Sequence, residues 1–317
     1  MIEKITLNSV MERLGTDPSK TNSLGGFDNS VYEVHINNHP YVLKFYRAEN
    51  REKSLIQGEL DWIIHLGKKG VAVARPFTFN KMSLIQQIQG EGGKFYYVLF
   101  EKVSGEFINI ENPDHTLVEN WGEVMGKIHR LAKSYSPPPK GRIMKWYENN
   151  IVTAPPELAP DTVLRKWEDA LQKLKGCPPS TEKYGIIHND LHHQNLYFRQ
   201  GKPLIFDFGD CEYGWFAYDI GISLYHGIQA VRDNVGNPFD YANQFLNVFL
   251  RGYLRENPSY EFCKKEIEFF LDFRRMYSYL YLLKNIPRDQ INESLQRVLQ
   301  GMEREIKEGI SIIKRSL

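Results

Sequence analysis

The stretch GIIHNDLHHQNLYFRQGKPLIFDFGD, residues 185–210, is the most informative part of the sequence. Two apolar residues, 186–187, precede a polar run over 188–195. Residues 195–198 and 203–206 then form two short apolar segments joined by a turn. This pattern predicts a strand, a polar loop and a hairpin of two further strands.

Three polar residues, Asp190, Asn195 and Asp207, fall on the same edge of this small predicted sheet. Magnesium takes oxygen ligands, usually one or two from carboxylates or amides and the others from phosphates and water. Asn195 and Asp207 can supply such ligands, and Asp190 remains to accept the proton of an attacking hydroxyl. The spacing therefore predicts magnesium-dependent phosphoryl transfer, in which positioning and charge neutralisation provide most of the catalysis.

Upstream of this stretch, the first third of the chain is predicted to be a sheet plus one helix. Residues 29–35 and 41–47 alternate apolar and polar side chains around a turn at 37–40, which predicts an antiparallel hairpin. Residues 51–68 carry leucine and isoleucine at helical spacing. Short strands are predicted over residues 74–77, 84–87 and 96–101.

The character of the sequence changes after residue 103, where helical patterns take over. Residues 116–132 and 164–175 are predicted helices, and helices resume from about residue 219 to the end. The predicted fold class is therefore α+β with two lobes. A sheet-rich lobe over residues 1–103 precedes a mostly helical lobe over 104–317, and ligand sites prefer the cleft between such lobes.

Composition excludes several classes of partner. The 317 residues carry 40 lysines and arginines against 39 aspartates and glutamates, which predicts neither a nucleic-acid nor a membrane partner. No stretch approaches the roughly 20 apolar residues of a membrane span, and the N-terminus lacks the apolar core of a signal peptide. Three widely separated cysteines are typical of reduced thiols. The predicted location is the cytoplasm.

The spacing D-x-x-x-x-N followed by D-F-G is that of the catalytic and metal-binding loops of the protein kinase fold. Here the first element is His188-Asn189-Asp190, without the arginine of protein kinases. It resembles the H-G-D-x-x-x-x-N and D-F-x-D/E pattern of the aminoglycoside phosphotransferase family, which includes choline, homoserine, methylthioribose and fructosamine kinases. Asn189 replaces the usual glycine and also tolerates unusual backbone geometry. The resemblance implies a two-lobed protein-kinase-like fold that uses ATP and Mg²⁺.

The resemblance also implies roles for residues of the first lobe. Gly25 and Gly26 lie in a loop that would cover the nucleotide, and Lys44 stands in a strand where the family binds phosphate. Glu59, in the following helix, would form an ion pair with Lys44; Glu52 is a second candidate for that role.

Further positions follow from the same resemblance. Backbone groups of Glu101 and Val103 would contact the adenine in the linker between the lobes. Asp219 would brace the catalytic loop from the next helix, and Asp210 would either assist a second metal or cap a turn. Beyond the part of the chain that carries the resemblance, the charged residues Asp272, Arg274 and Arg275 either bind the acceptor or form a solvated helix face.

Two other functions are compatible with parts of the sequence. A metal-dependent hydrolase would use a cluster of His188, Asp190, His192, His193 and Asp207. A catalytically silent nucleotide-binding module is the third possibility, although all the residues needed for transfer are present. A protein substrate is disfavoured, because the segment after Asp207 is too short for an activation loop. The predicted acceptor is the hydroxyl of a small molecule.

Overall fold

The computed structural model describes residues 3–25, 30–232 and 238–313. The chain divides into two compact units. The first unit consists of Met1–Glu106, Ser136–Ile143 and Leu204–Gly209, and the second of Phe107–Tyr135, Met144–Pro203 and Asp210–Leu317. Asp207 thus belongs to the first unit, whereas Asp190 and Asn195 belong to the second. The functional roles assigned to residues 1–103 and 104–317 stay predictions.

The first unit is built on an antiparallel sheet in the order β1-β2-β3-β6-β4, with β5 also paired to β6. Asn37 and Asn38 both have positive φ, at 51° and 62°, as the two-residue turn of a tight hairpin requires. The predicted antiparallel hairpin is therefore confirmed. The strands are β1 (Asn22–Gly25), β2 (Val31–Ile36), β3 (His39–Arg47), β4 (Pro76–Phe77), β5 (Gln86–Gly90) and β6 (Gly93–Glu101).

Two helices, not the single predicted one, belong to the first unit: α1 (Lys4–Arg13) and α2 (Lys53–Lys68). The missed helix α1 buries Leu7, Val10 and Met11 in the same apolar cluster as the sheet. These positions follow helical spacing, and their burial stabilises a segment whose charged residues remain outside. The prediction of one helix was therefore wrong, although the signal was present in the sequence.

The second unit contains a three-stranded sheet in the order β7-β11-β8, and β9 pairs with β10 in a two-stranded sheet. The chain passes from the second unit to the first within β10. In the three-stranded sheet, Glu212 is paired with Ile187, the last residue before the polar loop. The strands are β7 (Met144–Lys145), β8 (Tyr184–Ile187), β9 (Leu196–Arg199), β10 (Lys202–Ile205) and β11 (Glu212–Trp215).

Helices make up most of the second unit. Gly122 of α3 packs so closely on α7 that a Cβ atom there would lie 1.9 Å from the carbonyl oxygen of Phe249. Within the described residues, no helix is long and apolar enough to cross a membrane. The helices are α3 (His115–Ala132), α4 (Asn150–Thr153), α5 (Asp161–Lys175), α6 (Phe216–Val231), α7 (Pro238–Glu256), α8 (Lys264–Asn285) and α9 (Glu293–Glu308). The antiparallel sheet followed by a mostly helical region confirms the predicted α+β class.

Candidate active site

Lys44 and Asp207 form an ion pair within the first unit. Lys44 lies in β3, and its Nζ atom is 2.7 Å from Oδ1 of Asp207, which follows β10. Gly209 leaves room for this contact, because a Cβ atom there would lie 2.6 Å from the Lys44 Nζ. Burial opposes the charge of Lys44, but the Asp207 carboxylate beside it raises the pKa of this lysine well above its usual value. Lys44 is therefore a cation held next to a predicted metal ligand.

The backbone of Asp207 is in the left-handed region, with a φ of 61°. This conformation is uncommon for a residue other than glycine, and such residues cluster at functional sites. The turn that follows is held by Arg51, whose Nη2 atom donates to the carbonyl of Gly209 at 2.6 Å. Both features fix where the Asp207 carboxylate lies.

Glu59 does not form the predicted ion pair with Lys44 in the described part of the chain. Its buried carboxylate accepts a hydrogen bond from the Tyr46 hydroxyl at 3.1 Å and lies 3.7 Å from Nη2 of Arg51. Tyr46 stands two residues after Lys44, on the same face of β3, and its hydroxyl is the group that bonds the Glu59 carboxylate. Lys44 pairs with Asp207 instead, and Glu59 acts on it only through its nearby charge.

The other predicted nucleotide-binding positions are placed as follows. Gly25 ends β1 with a φ of 93°, a conformation that favours glycine, and Gly26 lies outside the described residues. Glu101 ends β6, and its amide donates to the carbonyl of Arg75 at 2.8 Å, which leaves its carbonyl as the candidate group for adenine. Val103 follows in a segment without regular secondary structure. The roles of Gly25, Glu101 and Val103 stay predictions.

In the second unit, Asp219 of α6 holds the backbone of the loop between β8 and β9. Its carboxylate accepts the amides of His188 at 3.0 Å and Asn189 at 2.9 Å, and Nε2 of His129 contacts it at 3.0 Å. Burial opposes its charge, but the hydrogen bond with His129 lowers the pKa of Asp219. This fully buried anion therefore braces the loop as the sequence predicted.

Asn189 adopts the unusual backbone geometry expected at the position of the family's glycine. Its φ is 66°, and its Nδ2 atom donates to the carbonyl of Asp210 at 3.2 Å. Asparagine enters the left-handed region at lower cost than most residues, because its short side chain can bond locally. The replacement of glycine by Asn189 is therefore compatible with the loop.

Both carboxylate oxygens of Asp190 are engaged. Oδ1 lies 2.9 Å from Nη2 of Arg274, and Oδ2 accepts a hydrogen bond from Nδ2 of Asn195 at 3.0 Å. The Nε2 atom of His192 is 3.4 Å from Oδ2. Burial opposes ionisation, but the hydrogen bond with His192 and the charge of Arg274 hold the pKa of Asp190 well below its usual range. Asp190 is therefore an oriented anion at neutral pH.

The side chain of Asn195 presents an oxygen that can bind a cation. Its Nδ2 atom donates to both the backbone carbonyl and the carboxylate of Asp190, at 2.8 and 3.0 Å, so its Oδ1 atom is the remaining ligand. In the first unit, the Asp207 side chain is half exposed. Amide and carboxylate oxygens are the donors that magnesium prefers, so each of these side chains, taken by itself, has the chemistry of a ligand for that ion.

The cluster required by the hydrolase alternative is not formed in the described residues. No group of three or more His, Cys, Asp or Glu side chains within residues 3–25, 30–232 and 238–313 could hold a metal. Nδ1 of His192 accepts the amide of Gln194 at 3.2 Å, and His188 is fully buried. The described residues therefore do not form the metal cluster that the hydrolase interpretation requires.

One face of α6 carries two contacts that the sequence reasoning missed. Ser223 and His226 follow Asp219 by four and seven residues, so all three share a helix face. The Ser223 hydroxyl donates to the carbonyl of Leu191 at 2.5 Å, and Nε2 of His226 is 3.9 Å from Oδ1 of Asp190. The i, i+4, i+7 spacing of polar residues on an otherwise apolar helix was the signal that could have identified them.

Arg274 of α8 is buried, which corrects the interpretation as a solvated helix face. Only 7% of the residue is exposed, and its guanidinium contacts Asp190, the carbonyl of Asn189 at 3.3 Å and Nε2 of His226 at 3.2 Å. Its guanidinium also lies 5.4 Å from the ring centroid of Tyr277. Arg274 therefore belongs to the surroundings of Asp190.

Arg275, the next residue, has a different environment. It is also buried, and it bonds Glu305 at 3.1 Å and Asp272 at 3.0 Å. The Glu305 contact joins α8 to α9, whereas the Asp272 contact lies within α8. Arg275 and Asp272 therefore have partners within the protein.

The chain is similar to known kinases in both sequence and structure. The sequence model of the phosphotransferase enzyme family (APH) matches residues 22–263. Amicoumacin kinase from Bacillus subtilis (strain 168) is 29% identical over 314 residues, covering 98% of this chain and 94% of that protein. The structure of amicoumacin kinase hAmiN in complex with AMP-PNP, Ca²⁺ and Ami has a TM-score of 0.85 at 27% identity, covering 96% of this chain and 94% of that one.

A microcompartment-associated aminopropanol kinase has the same fold, with a TM-score of 0.74 at 18% identity over 96% of this chain and 95% of that one. The predicted protein-kinase-like fold is therefore confirmed. The predicted enzyme class, a phosphotransferase with an alcohol group as acceptor, is confirmed as well. The family match spans well over half of the sequence, and the chain belongs to the phosphotransferase enzyme family.

Proposed function

We propose that this protein transfers the γ-phosphate of ATP to a hydroxyl of a small molecule. Asp190 is the catalytic base, and Asn195 and Asp207 bind Mg²⁺. Residues 1–103 bind the nucleotide, and residues 104–317 bind the acceptor. The relative's complex with AMP-PNP and Ca²⁺ supports the use of a nucleotide and a divalent cation.

The environment of Asp190 carries the proposal. The carboxylate is ionised and is held by Arg274 and Asn195, so it can orient a hydroxyl without a preceding deprotonation. A carboxylate with so low a pKa is a weak base. It therefore orients the hydroxyl and accepts its proton late, which suits the loose transition state of phosphoryl transfer.

Other residues act on the nucleotide. Bound Mg²⁺ would neutralise the phosphate charge, and Lys44 adds a second positive charge to the phosphates. This lysine pairs with Asp207, which compensates its charge. The Glu101 carbonyl and the Val103 backbone contact the adenine, and Gly25 and Gly26 cover the phosphates. Glu59 contributes through the Tyr46 and Arg51 contacts that position β3 and the turn at Gly209.

A single substitution tests the base. Asp190→Asn should lower kcat by about 10²–10⁴-fold, because the amide cannot accept the hydroxyl proton. The affinity for AMP-PNP with Mg²⁺, measured by calorimetry, should stay within about twofold, since Asp190 is not a predicted nucleotide ligand. ADP release is the assay, with amicoumacin as the first acceptor because the relative is an amicoumacin kinase. Choline, homoserine, methylthioribose, fructosamines and aminoglycosides complete the panel.

Asp169→Asn provides the matched control, because it removes an exposed carboxylate from α5. This variant should retain full activity. Transfer that persists at the wild-type rate in Asp190→Asn would remove Asp190 as the base.

A further inference from the structure

His226 of α6 lies beside two of the groups that surround the Asp190 carboxylate. Its Nε2 atom is 3.2 Å from Nη2 of Arg274 and 3.9 Å from Oδ1 of Asp190. Its ring packs against the ring of His192, with the centroids 4.6 Å apart and an angle of 31° between the planes. Arg274 is a partner of Oδ1 of Asp190, and His192 is a partner of Oδ2. His226 therefore contacts one partner of each carboxylate oxygen.

The contact with Arg274 determines which ring nitrogen of His226 carries a proton. A guanidinium has N–H donors and no acceptor, so the Nε2 atom of His226 accepts this hydrogen bond. A ring nitrogen that accepts is unprotonated, and the proton of the neutral ring is then on Nδ1. Burial and the charge of Arg274 lower the pKa of His226 well below its usual value, which agrees with a neutral ring.

The same contact restricts the orientation of the Arg274 guanidinium. Its Nη1 atom donates to the carbonyl of Asn189 at 3.3 Å, and its Nη2 atom donates to Oδ1 of Asp190 at 2.9 Å. Nη2 carries two hydrogens, and His226 accepts the second of them. A guanidinium whose Nη2 atom has an acceptor for each hydrogen cannot turn about its axis without breaking a bond. His226 therefore helps to fix the plane in which Arg274 meets Asp190.

His192, which packs against His226, has contacts that require the opposite tautomer. Its Nδ1 atom accepts the amide of Gln194 at 3.2 Å, which places the proton of the neutral ring on Nε2. That Nε2 atom is 3.4 Å from Oδ2 of Asp190. His192 thus donates towards the carboxylate, whereas His226 accepts from the cation that the carboxylate binds.

We propose that His226 is a positioning residue for phosphoryl transfer, which acts as a neutral acceptor and holds the Arg274 guanidinium in the plane that bonds Asp190. His226 acts on the base through Arg274 and exchanges no proton with the acceptor. The effect on the rate rests on the proposed function. The tautomer of His226 is a separate claim that requires no transfer.

Nitrogen-15 NMR of the ring nitrogens tests the tautomer directly. Protein with labelled histidine, free of nucleotide and metal, is measured at pH 7, and His226→Gln and His192→Gln assign the resonances. Nε2 of His226 should have the chemical shift of an unprotonated nitrogen, and Nδ1 that of a protonated one. His192 should show the reverse pattern. A protonated Nε2 in His226, in the other tautomer or in a doubly protonated ring, would overturn the inference.

Two substitutions of His226 separate the loss of the acceptor from the loss of the ring. His226→Leu removes the acceptor and should lower kcat about 10-fold with the fastest acceptor of the panel, because Arg274 and Asp190 lose their fixed geometry. The KM for ATP should stay within about twofold, since the contact is remote from the predicted nucleotide ligands. His226→Gln carries an amide oxygen that can accept from Arg274, and its kcat should stay within about threefold of the wild-type value. The His226 side chain is 28% exposed, so both variants should fold, as thermal unfolding can verify.

His115→Leu is the matched control, because it makes the same change at an exposed histidine of α3. It should retain the wild-type kcat. A wild-type kcat in His226→Leu would overturn the positioning role. Equal losses in His226→Leu and His226→Gln would overturn it as well, because the loss would then follow the ring and not the acceptor.

The two measurements also distinguish this inference from the proposed function. A wild-type protein that phosphorylates no acceptor of the panel but has an unprotonated Nε2 in His226 contradicts the proposed function alone. A wild-type protein that transfers phosphate while this Nε2 is protonated contradicts the inference alone.

Discussion

At the scale of single residues, the chemistry depends on how the charge of Asp190 is compensated. Arg274 is its nearest cation, at 2.9 Å, and is buried, whereas the Asp190 side chain is only partly buried. An opposite charge at this distance favours the ionised carboxylate, and burial strengthens the effect because water screens it less. The same contact holds the carboxylate in one orientation. Arg274 is therefore a positioning residue for the base.

The pH dependence of the reaction tests this role. Asp190 has a pKa below its usual value, so its active anion persists into the acid range and is lost only as the pH falls through that low value. Arg274→Gln removes the cation, so the pKa of Asp190 should rise and the acid limb of kcat/KM should move to higher pH. Arg274→Lys keeps the charge and should retain most of the wild-type profile. An unchanged acid limb in Arg274→Gln would contradict the electrostatic role.

The left-handed residue Asn189 gives a prediction about stability. Asn189→Gly should change the free energy of unfolding by at most about 1 kcal/mol, because glycine adopts this φ freely but loses the bond to the Asp210 carbonyl. Asn189→Val should lower it by about 2–3 kcal/mol, because a branched side chain is strained there and the same bond is lost. Denaturant unfolding of both variants is the measurement. Equal stability of the two would show that backbone strain has no role at this position.

At the scale of elements, α6 supports the catalytic loop through one face. Asp219 accepts two loop amides and Ser223 bonds the Leu191 carbonyl, so the helix fixes the backbone on both sides of Asp190. The rest of the helix is almost entirely buried. The position of the loop is therefore coupled to the packing of α6.

Substitutions of Asp219 and Ser223 should lower the stability of the protein by different amounts. Asp219→Asn should cost about 3 kcal/mol of stability, because it removes a buried anion from the amides and His129 that it satisfies. Ser223→Ala removes a single neutral hydrogen bond and should cost about 1 kcal/mol. Thermal unfolding measures both, and kcat should fall further in Asp219→Asn. A larger loss in Ser223→Ala than in Asp219→Asn would contradict this assignment.

The features that the sequence predicted correctly are those set by residues close together in the chain. The hairpin at Asn37-Asn38 follows from two residues that tolerate positive φ, and Asp190 and Asn195 are identified by spacing within one loop. Helix α1 has an equally local pattern and was missed only because its charged residues obscured the apolar face. The partner of Lys44 was not predictable, because the choice between Asp207 and Glu59 depends on side-chain distances that no spacing encodes.

At the scale of the whole molecule, the chain returns twice to the first unit. The amide of Arg142 donates to the carbonyl of Ser54 at 2.9 Å, and Ile205 pairs with Val73 in a parallel bridge. The second return brings Asp207 to Lys44, which lies 163 residues earlier in the sequence. Contacts of such long range arise from the packed fold, which is why sequence patterns did not reveal them.

Hydrogen exchange tests how ligands distribute over the two units. AMP-PNP with Mg²⁺ should slow exchange in β3, α2 and residues 204–209, because a ligand protects the amides of the structure that it stabilises. Lys44→Met should lose this protection, because the phosphates lose their proposed cation. Nucleotide protection confined to the second unit would contradict the placement of the nucleotide site within residues 1–103.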